Sequence, residues 1–140
     1  MSTAREILDT ISKQDLIDLI IKYSDNGYFP IDLFLMKANQ GLTAGDIENH
    51  WNGVYEKALE YMREENELCA DYLRDGAELC FEQAKNLSDQ EECKILCREI
   101  SDDLTTAAEK DGIGMYTDSE WLYLEVREKI NDYIVDVDVK

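Results

Sequence analysis

From Ile47 to Ala84 the apolar residues return in steps of three and four: Ile47, Trp51, Val54, Ala58, Met62, Cys69, Tyr72, Leu73, Gly76, Cys80 and Ala84, with one gap at Glu65. That period marks one face of an α-helix and excludes the strict alternation of a half-buried strand. One Pro and seven Gly in 140 residues supply too few turn formers for a strand-rich fold. The expectation is therefore an all-α protein. It forms a single domain over residues 1–140, because a chain of this length with 44% hydrophobic residues supports one core.

Capping signals divide the chain. Thr3 with Glu6 and Ser12 with Asp15 predict either one bent helix or a short helix feeding a second that ends near Ser24. Asp25-Asn26-Gly27 reads as a turn. Pro30 then opens a short apolar segment closed by Gly41, with Phe29, Leu33, Phe34 and Met36 expected in the core. Thr43 with Asp46 begins the next helix, and Asn52-Gly53 is the expected break within it, leaving a main helix from about Val54 to Asn86. Ser88 and Glu91 form the expected capping box of the following helix, which stops at Asp111-Gly112. Thr117 with Glu120 is expected to cap the last helix, and the alternating tail "VDVDVK" reads as an extended end or short strand. The result is a small helical bundle built around a long antiparallel helical hairpin, about 54–86 and 89–110, with N-terminal and C-terminal helices packed on it.

Charge narrows function more than any motif does. Asp and Glu total 32 against 14 Lys and Arg, a formal net charge of −18, which disfavours direct binding to nucleic acid or an anionic membrane. The first residues lack the basic start and apolar run of a signal peptide, and no apolar stretch reaches the ~20 residues that span a bilayer, so a cytoplasmic location is expected.

On a continuous helix, Glu60, Glu64, Glu67, Asp71, Asp75, Glu78 and Glu82 fall within an arc of roughly 80° opposite the apolar side. The stripe covers roughly 33 Å with a mean spacing near 5.5 Å, similar to the phosphates of one nucleic-acid strand. Like charges so spaced weaken an isolated helix, so helix stability alone does not select them. The plain alternative is the solvated face of any acidic amphipathic helix, softened by Arg63 with Glu67 and Arg74 with Glu78. The facing helix adds Glu91, Glu92, Glu99, Asp102 and Asp103. Residues 60–110 hold 15 acids and 6 bases.

Chemistry finds little support. Cys69, Cys80, Cys93 and Cys97 contain no C-x-x-C pair. A hairpin brings Cys80 and Cys93 to similar height with Cys97 one turn further, but all lie on apolar faces, where thiols act as small hydrophobes. His50 is the only histidine, and no nucleophile can be assigned to it from spacing. Adjacent acids such as Glu64-Glu65 point in different directions on a helix. "DNGYFPIDLFL" lacks the ligand series of a calcium loop, and Gly112-Ile-Gly114 lacks a phosphate-binding context. No catalytic, cofactor or metal residues are assigned, and no family motif is evident. Several of the eight tyrosines fall between apolar and acidic faces, where they suit an interface.

The expected function is non-enzymatic binding: the acids capture a basic, Lys/Arg-rich protein surface such as that of a nuclease or other nucleic-acid-binding protein. A DNA- or RNA-mimic inhibitor from a phage or mobile element fits that description. The alternatives are a helical adaptor or homo-oligomer using apolar surfaces, and a cysteine- or carboxylate-based metal-binding protein.

Overall fold

A computed structural model of the protein describes residues 12–25 and 42–139, and all of their regular structure is helical. The segments holding the Thr3–Glu6 signal and the apolar run after Pro30 lie outside the described residues. Helix α1 spans Lys13–Asp25. Ser12 caps it as its sequence predicts: the Ser12 hydroxyl accepts from the Asp15 amide at 3.2 Å, and the Ser12 carbonyl accepts from Leu16 at 2.9 Å.

Helix α2, Ala44–Arg63, starts at the expected capping box. The Thr43 hydroxyl accepts from the Asp46 amide at 3.1 Å and the Asp46 carboxylate from the Thr43 amide at 2.9 Å. The helix buries Ile47, Trp51, Val54 and Ala58. It runs unbroken through Asn52-Gly53, both solvent-facing, where a side chain on Gly53 would meet nothing within 4 Å. A helical glycine in open space costs about 1 kcal/mol, which packing of the opposite face outweighs.

The break comes instead at the Glu65 gap. Glu65 takes a left-handed φ of 59°, its amide donates to the Met62 carbonyl at 3.0 Å, and the Asn66 amide donates to Tyr61 at 2.8 Å. These are the paired bonds of a Schellman ending, with glutamate in the position that usually holds glycine. Asn66 then turns the chain by accepting from the Leu68 amide at 2.9 Å. The first arm of the expected hairpin is therefore two helices: α3, Cys69–Lys85, folds back against α2.

Helix α4, Gln90–Thr106, is capped one residue later than expected, by Asp89, whose carboxylate accepts from the Glu91 and Glu92 amides at 2.9 and 3.2 Å. A widened π turn at Ala107–Asp111 ends at Gly112, which supplies the left-handed φ of 67° that stops the helix. Thr117 does not cap the last helix. It sits in a 3₁₀ turn, Met115–Thr117, with its hydroxyl donating to the Gly114 carbonyl, and α5 runs Trp121–Val139. The "VDVDV" tail is helical, because extending a wound helix takes little free energy per residue.

Helices α3 and α4 each pack against both α2 and α5, and against one another. Trp51, Tyr72, Leu73, Ile100, Leu104, Tyr123 and Ile130 fill the space between them. The approach of α3 to α2 is set at Gly76, where an added Cβ would lie 2.2 Å from Val54 Cγ1. Gly76→Ala should lower the unfolding free energy by ~1–3 kcal/mol in urea titration, and Val54→Ala in the same chain should recover part of that loss. Glu65→Gly should raise it by about 1 kcal/mol, by relieving the left-handed strain.

Candidate functional site

The turn at residues 64–68 redistributes the acidic stripe. Glu60 is exposed on the last turns of α2, and Glu64 and Glu67 are exposed in the connection. Only Asp71, Asp75, Glu78 and Glu82 remain on one face of one helix, α3, over about 16 Å rather than 33 Å. Arg74 lies between the first two, with Nη1 3.7 Å from Asp71 and Nε 3.0 Å from Asp75. It serves them in place of the expected i,i+4 bridge to Glu78. Glu78 meets Lys129 of α5 at 3.7 Å, and Glu82 meets Lys85 at 2.8 Å. These are half-exposed pairs of low individual worth.

On α4, Glu91, Glu92, Glu99 and Asp102 are exposed and Asp103 is half-buried. Glu91 faces Lys94 at 3.5 Å. Asp103 accepts from Trp51 Nε1 at 2.8 Å, which ties α4 to α2. Glu99 is set apart from the other acids: partial burial, with Glu48 of α2 and Asp103 nearby, pushes its carboxyl above the usual range. The α2/α4 edge thus brings three carboxylates, Glu48, Glu99 and Asp103, near one another.

A second feature opens between α3 and α5, a groove of about 510 Å³. Phe81, Val126 and Tyr133 provide its apolar lining, with Glu78, Glu82, Lys85, Lys129, Asp132 and Asp136 around them. The Phe81 and Tyr133 rings meet edge to face, centroids 5.5 Å apart at 76°. Lys85 Nζ stands 4.6 Å from the Phe81 centroid. Behind the groove, the Tyr133 hydroxyl lies 3.7 Å from Cys93 Sγ. That contact, with burial, pushes the tyrosine pKa up to about 12. Of the predicted acids, Glu78 and Glu82 belong here. Asp132 and Asp136 escaped sequence reasoning, although their spacing of four around Tyr133 was a helical signal within the last helix.

All four cysteines are buried and free. The close contact is along α4, Cys93 to Cys97 at 4.0 Å. Burial raises the thiols of Cys80 and Cys97 to about 12. Among the described residues no three His, Cys, Asp or Glu side chains gather as a metal site, and no helix is long and apolar enough to cross a membrane. His50 bridges helices, its Nδ1 3.4 Å from Gln83 Oε1. No family model, curated protein or solved structure matches the chain.

Because Glu99 is harder to ionise in the folded state, its charge lowers stability above the ordinary carboxylate pKa, and protonation restores that stability as pH falls through the raised value. Glu99→Gln should therefore raise the urea midpoint at neutral pH. The advantage should shrink as pH falls toward the ordinary Glu value of about 4.3.

Proposed function

We propose that the protein acts by binding, with no chemistry of its own, and that its acidic helical surface captures a Lys/Arg-rich protein surface such as the nucleic-acid channel of a nuclease or regulator. The observation that supports this reading is at the α2/α4 edge, where partial burial first, and then the nearby charges of Glu48 and Asp103, oppose ionisation of Glu99. Asp103 is used by the fold to hold Trp51, but the charge of Glu99 opposes folding, whereas a cationic partner gains from it. The net charge of −18 adds long-range steering of basic proteins and repulsion of nucleic acid. In the mimic form of this reading, an inhibitor from a phage or mobile element, the phosphate-like array is assembled across neighbouring helices, since α3 alone carries four acids over about 16 Å.

A second reading, an adaptor that binds through apolar contacts, draws on the loop before α5. There Tyr116 is 99% exposed and Met115 58%, and Trp121, the first residue of α5, is 56% exposed. The loop is held by the Tyr123 hydroxyl donating to Ile113 at 2.7 Å and the Ser119 hydroxyl donating to Gly114 at 3.2 Å. Exposed aromatics on a fixed loop are the usual anchors of a protein interface.

Capture from host lysate at low and high salt separates the two. The basic-partner reading expects wild type to retain a basic nucleic-acid-binding protein that salt releases. A variant with Glu48, Glu64, Glu67, Glu78 and Glu99 changed to Gln and Asp71 and Asp75 to Asn should miss it. Retention by both proteins, with loss on Tyr116→Ala and Trp121→Ala, establishes the adaptor reading instead.

A further inference from the structure

We propose that the groove between α3 and α5 is a pocket for an arginine side chain of a basic protein segment, an assignment that rests on the capture reading and names its point of specificity. Its volume of about 510 Å³ is that of an open cleft with room for a side chain. Both walls carry carboxylates one helical turn apart, Glu78 and Glu82 on α3 and Asp132 and Asp136 on α5, against two lysines. Between these walls lie the Phe81 and Tyr133 rings, 5.5 Å apart. Carboxylates on both walls of a groove lined by aromatic rings suit a cation that can both pair and pack against a ring.

The protein's own side chains demonstrate this chemistry. Lys85 holds its ammonium 4.6 Å from the Phe81 centroid and 2.8 Å from Glu82. Lys129, with its side chain 66% exposed, reaches Glu78 at 3.7 Å. Pairs so open to water are worth only ~0–1 kcal/mol each, so an incoming group displaces them at little cost. A lysine from a partner would merely repeat the contacts already made. A guanidinium adds a planar fork that engages a carboxylate through two parallel bonds, stacks on aromatic faces and sheds water more readily. Arginine is therefore the occupant that gains by entering, and the surrounding negative field brings it to the opening.

The test is a ¹⁵N–¹H NMR titration of the full chain with blocked hexa-arginine and hexa-lysine peptides at matched ionic strength. Expected are saturable shifts centred on Phe81, Lys85, Lys129 and Tyr133, several-fold tighter for hexa-arginine. Glu82→Gln with Asp132→Asn and Asp136→Asn should weaken hexa-arginine about tenfold. Lys85→Ala should tighten it, whereas Lys110→Ala, the same charge change outside the groove, should leave it nearly unchanged; dispersed spectra establish that each variant is folded. Shifts spread without saturation over α2 and α4, equal response to hexa-lysine, or equal effects of Lys85→Ala and Lys110→Ala overturn the pocket. Those outcomes leave general capture of basic proteins standing, because that reading fails separately, when the charge-neutralised variant retains the same lysate partner as wild type or when neither retains any.

Discussion

The contact between Gly76 and Val54 determines how the rest of the structure can be arranged. Helix α3 is enclosed by three others, and a central helix can take three neighbours only if its side chains stay small where backbones come close. Ala70, Gly76, Ala77, Cys80 and Ala84 provide that slimness, and all are buried. The thiols belong to the same packing solution. All four fill core space as small, polarizable groups, and in Cys80 and Cys97 burial removes the acidity that reactive chemistry would need.

What could be read in the sequence follows from which signals are local. The Thr43–Asp46 box and the Gly112 stop depend on a few adjacent residues, and both helix boundaries are visible from them. Asn52-Gly53 misleads because composition there argues for a turn, while packing of Trp51 and Val54 on the other face keeps the helix wound. Glu65 misleads in the opposite sense: a left-handed ending on glutamate carries no glycine to announce it, and only the gap in the apolar series hinted at it. That single error stretched two helices into one and lengthened the acidic stripe with it. The groove was illegible for another reason. Its walls lie about 50 residues apart in sequence, and nothing local specifies which face of α5 meets α3.

The acids fall into three physical situations that composition alone merges into one number. Some are structural, as with Asp46 and Asp89 at helix starts or Asp103 holding Trp51. Others share a cation, as do Asp71, Asp75, Glu78 and Glu82. Glu99 is neither, and its crowding by Glu48 makes it informative. A net charge of −18 sets the long-range field, whereas the local charge a carboxylate offers depends on whether the fold has already given it a donor or a cation.

The arrangement of the four packed helices gives these surfaces a further property. Helices α2 and α5 both lean on the α3/α4 pair and hardly touch one another, so the edge shared by α2 and α4 and the groove shared by α3 and α5 each have one wall on an outer helix and one on the central pair. Surfaces that share no residue and no partner contribute nearly additively. A partner gripping both surfaces at once would hold by avidity: each contact alone is brief, but release requires both to open together. The same division allows a partner's grip to be loosened in two steps, one surface at a time.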